Sequence, residues 1–280
     1  MYNQAYGIIE TLAPLHVGAS SGEEAGNLNL IFRDQFSQTG IIPGSSLRGR
    51  FRADMRYKKG DINYWYGREA IASEKTGNNS QDLTTEGMIK FEYASLVWIP
   101  VYCPNQPIVW VSCPMLLKRY QKIVGLAGHE IKPYTYSGET SSPTLFFNLG
   151  FIRLKTKDEA LKNYLPKGVK LSEKDLVLVV DDKDMSMIHD MALYRQSRVA
   201  LEPDKKKAKK GAFFDVEALP EGSILAFPIA FRKEYEGKAV EWQEFLTNAK
   251  FTDKGKELYF GGLESIGFGR TQVFLNLYPV

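Results

Sequence analysis

Cysteine and histidine are both scarce in this chain of 280 residues, with two of the first and three of the second. Cys103 and Cys113 cannot make a four-ligand metal site alone, and their ten-residue separation matches no zinc spacing. Both read as buried thiols. His16, His129 and His189 are scattered, with no HExxH pair and no Cys/His cluster. Long apolar runs are missing too: nothing approaches the roughly 20 residues that a membrane span needs. The start, Met1-Tyr2-Asn3-Gln4-Ala5-Tyr6, lacks the basic region and apolar stretch of a secretory signal. A soluble cytoplasmic protein with no membrane partner is the expectation. Net charge is only +3, so overall charge makes no case for nucleic acid. The apolar fraction of 44% is nevertheless that of a globular chain, long enough for one large domain or a smaller one carrying insertions.

Charge distribution says more than the total. Arg48, Arg50, Arg52, Arg56, Lys58 and Lys59 face a single acid, Asp54, within one short segment. A second cluster is Lys205, Lys206, Lys207, Lys209 and Lys210. Each fits either a solvated face or contact with a polyanion, where counterion release supplies affinity. The first cluster begins within Gly44-Ser45-Ser46-Leu47-Arg48-Gly49-Arg50-Phe51-Arg52. Ser45 and Ser46 are N-cap candidates after Pro43 and Gly44. Leu47, Phe51 and Met55 then recur every fourth residue and lay an apolar stripe on a helix, beside a basic stripe of Arg48, Arg52 and Arg56. The free N–H groups and dipole at such a helix start suit a phosphate. An ordinary capped amphipathic helix has the same pattern.

Elsewhere the pattern alternates strands and helices. Tyr6 to Val17 reads as a strand leading into Leu15-His16-Val17-Gly18, followed by a polar loop from Ala19 to Asn29. Met88 to Tyr102 and Pro107 to Ser112 read as strands joined by a turn at Asn105-Gln106-Pro107. Pro114 opens a helix closed by Gly125, residues 127–144 read as an inserted loop, and Leu145 to Leu154 reads as a strand. A charged helix near Asp158 to Tyr164 precedes a Val/Leu strand and an acidic helix within Lys174 to Asp190. Tyr194 to Leu201 and Ala212 to Val216 form the arms of a long hairpin with the lysine cluster at its tip. Ile224 to Phe231 is a strand and Glu241 to Ala249 a helix. A glycine-rich loop, Gly261 to Arg270, then enters a last strand, Thr271 to Leu277. No helix opens after those glycines, which excludes the dinucleotide fingerprint. Most aromatics fall in the strands and belong to a core.

Three segments together resemble a known family. Leu15-His16-Val17-Gly18, Ile42-Pro43-Gly44-Ser45-Ser46-Leu47-Arg48-Gly49 and the Gly261 to Arg270 loop are similar to the repeat-associated mysterious protein (RAMP) superfamily. The second segment resembles the Cmr and Csm backbone subunits of type III CRISPR effector complexes. Trp98-Ile99-Pro100-Val101, Val109 to Pro114, Arg198, Gly211 to Phe214 and Glu217 to Pro220 resemble the Cmr type most. The resemblance implies an α+β fold: one domain with a modified RNA-recognition-motif (ferredoxin-like) core, insertions at about 60–87 and 127–144, and a thumb hairpin at about 195–216. It implies a subunit that binds guide CRISPR RNA and positions target RNA in antiviral defence. Its partners would be further copies of itself, head to tail, and other type III subunits. RNA contacts are then expected from Gly18, Ser45, Ser46, Arg48, Arg50, Arg52, Arg198, Lys205, Lys206, Lys207, Lys209, Lys210, Gly267, Gly269 and Arg270, with no intrinsic cofactor.

Relatives of this type cut target RNA with an aspartate in the loop after the first strand and a divalent metal such as Mg2+. Arg33-Asp34 and Thr39-Gly40 keep the flanking pattern, which puts that aspartate near Leu28, yet no aspartate occupies residues 19–32. Glu23 and Glu24 are the loop's acids, and Asn27 and Asn29 flank the position. An asparagine holds a metal-bound water through its carbonyl but cannot act as a base. A guide-holding scaffold with lost or weakened cutting is the leading expectation. The alternatives are a nuclease using Glu23, Glu24 or a repositioned acid, a guide-processing enzyme using His16, and a terminal cap of the complex.

Overall fold

A computed structural model describes residues 2–19, 28–57, 61–68, 85–106, 108–201, 207–235, 237–243, 245 and 254–278. In chain order its first elements are β1 (Tyr2–Thr11), β2 (Leu28–Asn29), β3 (Ile41–Ile42), α1 (Gly44–Tyr57) and α2 (Ile62–Tyr66). Next come β4 (Ile89–Phe91), β5 (Ala94–Tyr102), β6 (Ile108–Ser112), α3 (Pro114–Val124) and β7 (Thr135–Ser137). β8 (Thr144–Phe147), β9 (Gly150–Arg153), β10 (Thr156–Lys157), a 3-10 helix (Glu159–Tyr164), β11 (Val177–Val179) and α4 (Asp182–Ala192) follow. The last part holds β12 (Tyr194–Leu201), β13 (Ala208–Ala218), β14 (Ile224–Arg232), β15 (Glu234–Tyr235), β16 (Lys238–Ala239), β17 (Lys256–Tyr259) and β18 (Arg270–Leu277).

One large sheet, in the order β10-β7-β11-β6-β5-β14-β1-β18-β17, carries the fold. Its middle four strands, β5-β14-β1-β18, are antiparallel throughout, with α1 on the crossover from β1 to β5. The ferredoxin-like core that the resemblance implies carries two helices, each on a crossover between strands. The second helix of such a core would fall near Glu241–Ala249, where residues 242, 243 and 245 are helical and 246–249 lie outside the described residues.

Period-two geometry sends neighbouring side chains to opposite faces of the sheet, and both faces are covered. Ile9 joins Leu47, Phe51, Leu96, Phe227 and Ile188 in one core, under α1 and α4. Ile8 joins Val97, Trp98, Leu117 and Phe274 in the other, under α3. A strand buried on both sides reads as an unbroken apolar run, and β5 is buried from Ala94 to Val101. The Trp98 indole is fully buried and donates its N–H to the Tyr164 carbonyl at 2.9 Å. Among the described residues no helix is long and apolar enough to cross a membrane.

Several sequence expectations shift in detail. Helix α1 begins at Gly44, and the Pro43 carbonyl accepts from the N–H groups of Ser46 and Leu47 at 3.0 and 3.1 Å. Pro43 therefore starts the helix, and Ser45 and Ser46 sit in its first turn instead of capping it. The expected strand at 145–154 is a hairpin, because Asn148-Leu149 turns the chain between β8 and β9. The stretch 127–144 contains β7, held by pairing with β11 and β10 and not by its own composition. β1 ends at Thr11, and the second arm of the long hairpin starts four residues early, at Ala208. The 60–87 stretch contains α2, and its residues 69–84 lie outside the described ones.

One buried polar contact ties α4 to the chain that follows β2. The Gly40 N–H donates to Nε2 of His189, whose ring is fully buried. That bond requires Nε2 unprotonated, so the neutral ring carries its proton on Nδ1, facing the Asp190 carboxylate at 3.5 Å. Burial, reinforced by the nearby Arg33 charge, pushes the His189 pKa down from 6.5 to about 4. The unfolded chain takes up this proton first, so stability is lost as pH falls from about 6.5 and the loss stops below about 4. The expected cost between pH 7 and pH 5 is about 2 kcal/mol. Urea unfolding at both pH values measures it, and His189→Asn should flatten the difference.

Candidate nucleic-acid interface

The glycine-rich loop is built against the turn that follows β1. Gly262 donates its N–H to the His16 carbonyl at 3.0 Å, Gly269 to the Pro14 carbonyl at 2.9 Å, and Leu12 to the Arg270 carbonyl at 2.8 Å. Gly261 has φ +79, and a Cβ there would lie 2.1 Å from the His16 carbonyl oxygen. Gly269 has φ +82, and its Cβ would lie 2.3 Å from the Phe260 oxygen. Only glycine combines that conformation with that approach. His16 itself is buried, its Nδ1 2.6 Å from the Glu217 carbonyl. A ring so engaged holds the turn to β13 and is not presented to a substrate.

The long hairpin of β12 and β13 rises from the same place. Val216 and Ala218 of β13 form a small core with Phe268 of the glycine-rich loop, and Tyr194 of β12 meets the Phe268 ring edge to face at 5.9 Å. The other side of the hairpin base is held by charge. Glu217 is buried, and its carboxylate accepts from Arg33 Nη2 at 3.0 and 3.2 Å and from Arg195 Nη2 at 3.2 Å. Arg33 also bonds Asp190 of α4 through Nη1, and Arg195 donates to the Asp190 carbonyl at 3.0 Å. β2 lies alongside β13, with Leu28 in register with Asp215 and Asn29 with Val216. Next to Arg33, burial on its own would raise the Asp34 pKa, but hydrogen bonds from the N–H groups of Ser37 and Phe36 outweigh it and hold the pKa below the usual range.

Helix α1 joins this unit through ring contacts and an ion pair. Phe51 stacks on Phe91 at 5.1 Å and meets Phe260 at 6.3 Å, while Asp54 pairs with Lys256 of β17. Arg48 turns inward: it donates to the Tyr66 carbonyl and lies over the Tyr66 ring at 5.9 Å. It therefore braces α1 against α2, a contact invisible in local sequence.

The expected RNA contacts thus divide. Gly18, Ser45, Gly267 and Arg270 are exposed around the glycine-rich loop and the start of α1, and Ser46, Arg50, Arg52 and Arg198 are half-buried. Arg50 Nε and Arg198 Nη1 are buried and have no hydrogen-bond partner among the described residues. Gly269 is buried and serves backbone packing. Lys207 is exposed, Lys209 and Lys210 belong to β13, and Lys205 and Lys206 lie outside the described residues. Of the catalytic candidates, Glu23, Glu24 and Asn27 lie outside the described residues, and Asn29 is half-buried in β2. Sequence reading missed Glu217, Arg195, Asp190 and Phe268, which set the geometry. Among the described residues no group of three or more His, Cys, Asp or Glu could hold a metal ion.

The profile of the RAMP superfamily matches residues 8–272. A search of curated proteins gives no significant match. Among solved structures, the chain resembles the Type III-B Cmr-beta bound to cognate target RNA, with 19% identity and a TM-score of 0.72 over 97% of this chain and 96% of that one. It likewise resembles oligomeric Cmr4 from Pyrococcus furiosus, with 18% identity and a TM-score of 0.70 over 100% of both chains. At such identities the likeness is one of fold.

Three substitutions test the packing of the glycine-rich loop and the Glu217 charge network. Gly261→Ala should cost more than about 2 kcal/mol, because backbone strain adds to a backbone clash. Its neighbour Gly262 has open space around its Cβ position, so Gly262→Ala should stay within about 0.5 kcal/mol. Arg33→Ala leaves the buried Glu217 with Arg195 alone and should cost about 2–3 kcal/mol. Chemical denaturation of the three variants measures these values.

Proposed function

The chain belongs to the RAMP superfamily, and from that premise we propose that it is a CRISPR RNA-binding backbone subunit of a type III effector complex in antiviral defence. In this reading several copies assemble along a guide RNA in the cytoplasm, beside other type III subunits, and position target RNA. One observation carries it. The turn after β1, the glycine-rich loop and the base of the long hairpin are bonded into one unit with Gly18, Gly267 and Arg270 exposed, and α1, with Ser45 exposed at its start, joins it through Phe51 and Asp54. Exposed backbone at glycines lets a phosphate chain approach closely, and arginines supply its countercharge. The related folds come from Cmr-beta bound to cognate target RNA and from oligomeric Cmr4, which supports the same reading. Such contacts hold the backbone, while base pairing reads the sequence.

A second reading, target cleavage, rests on a different observation. Leu28 stands where the resemblance expects the cutting aspartate, and the exposed Asp215 sits in register beside it on β13. Paired residues of adjacent strands share a face, so Asp215 presents a carboxylate on the side to which Leu28 points. Mg2+ is commonly held by one or two carboxylates together with substrate phosphates. Asp215 would be the protein ligand, and the ion would supply charge to a phosphate of the RNA.

The test uses purified protein and labelled single-stranded RNA titrated at several salt concentrations. Arg198→Ala and Arg270→Ala should each weaken binding, and each should reduce the salt slope by about 1. Unchanged affinity and slope in both would sink the RNA-holding reading. Adding complementary RNA and magnesium separates scaffold from nuclease. Intact target supports the scaffold. Fragments at a regular interval that vanish with Asp215→Asn support cutting by the repositioned acid, and fragments that vanish only with Glu23→Ala or Glu24→Ala assign it to the loop.

A further inference from the structure

The β8–β9 hairpin and α4 carry a feature that the RNA contacts proposed above do not use. Among the described strands the β8–β9 hairpin pairs only with itself, and it has two unlike faces. Leu145 is buried in the main core, whereas the facing rings of Phe146 and Phe151, 6.2 Å apart, are 57% and 64% exposed. Between this hairpin and α4 lies an open cleft of about 180 Å³, lined by Phe147, Leu149, Phe151, Met187 and Met191, with Asp184 among its walls. Leu149 and Met187 are themselves 63% and 50% exposed. A dry apolar cavity of about 150 Å³ takes a benzene ring, so one aromatic side chain matches this space. The near end of α4 is acidic, with Asp181, Asp182 and Asp184 in its first turn and cap.

The complement lies at the other end of the same sheet. The cleft is anchored toward the β7 edge, since Tyr134 beside β7 donates its hydroxyl to Asp184 at 2.9 Å and its carbonyl accepts from Lys155 beyond β9 at 3.0 Å. Helix α1 is anchored toward the opposite edge, through Asp54 and Lys256 of β17. Its last two residues are the exposed Arg56 and Tyr57, and the Tyr57 ring is 85% exposed. An aromatic ring beside a cation answers an apolar cleft beside carboxylates. Two unlike patches at opposite edges cannot satisfy each other within one molecule, but they can between successive copies, and repetition then gives an open array.

We propose that the cleft between the β8–β9 hairpin and α4 receives Tyr57, with Arg56 beside Asp184, from a second copy of this chain. The proposal rests on the backbone-subunit reading and names the surface through which copies would join.

The two native cysteines are buried, so introduced surface thiols can be oxidised selectively. The full-length chain carrying Leu149→Cys and Tyr57→Cys is mixed with single-stranded RNA long enough for several copies, then oxidised and run without reductant. A ladder of covalent multimers is expected from the double variant, none from either single variant, and dimers alone from an equal mixture of the singles. Dimers from Leu149→Cys alone would show a face-to-face contact and overturn the proposal. Light scattering of the unsubstituted chain on the same RNA keeps the two readings apart. No array from the unsubstituted chain would overturn both readings, whereas arrays that form without cross-links and survive Asp184→Arg would place the contact elsewhere and leave the backbone reading standing. Where thiol geometry prevents cross-linking, the charge pair decides. Asp184→Arg should weaken array formation by about tenfold or more, Arg56→Asp in the same chain should restore it, and failure to restore counts against the contact.

Discussion

The Glu217 carboxylate, 3% exposed, is the point on which the arrangement of the interface depends. A charge taken out of water must be paired and hydrogen-bonded, or the group neutralises or the structure moves. Here two guanidinium groups meet it: Arg33 from the segment after β2 and Arg195 from the base of β12. Arg33 also reaches Asp190 at the end of α4. Three parts of the chain therefore share one charge network, and no part can shift without exposing or orphaning the others. The network fixes the angle at which the long hairpin leaves the body. Its opposite face is set independently, by Phe268 of the glycine-rich loop against Val216 and Ala218.

A hairpin clamped on both faces at its base can still present its outer part to a ligand. Phe213 and Val199, paired across the strands, remain 59% and 39% exposed. The glycine-rich loop likewise combines a fixed inner side with an open outer one. Gly261 and Gly269 are consumed in close backbone packing, and Gly267 faces open space. Preorganised backbone of this kind lowers the entropy cost of holding a flexible polyanion. The same division recurs in α1, whose Leu47 and Phe51 are buried while Ser45 and Gly49 are exposed.

Much of this was legible because it is local. The four-residue spacing of Leu47, Phe51 and Met55 marked α1, and Pro114 with Gly125 bounded α3, whose cap residue adopts the left-handed conformation. The long hairpin was visible as two β-rich arms around a lysine cluster. The parts that escaped depend on distant partners. Arg33 and Glu217 stand 184 residues apart, and neither carries a local signal of the other. β7 lies in a Gly/Ser/Thr/Pro-rich stretch and exists because β11 and β10 pair with it. Arg48 looked like one more member of a basic stripe, and only α2 packing shows where it goes. Asp215 drew no notice because its neighbour, Leu28, arrives by a parallel pairing that sequence does not announce.

The central claim is that this chain is a repeating holder of RNA, and stoichiometry tests it most directly. Native mass spectrometry of the purified protein on single-stranded RNAs of increasing length counts copies per RNA. The account predicts a copy number that climbs in steps with RNA length at saturating protein, as an open head-to-tail array requires. One copy, or a fixed closed oligomer, at every length would contradict it.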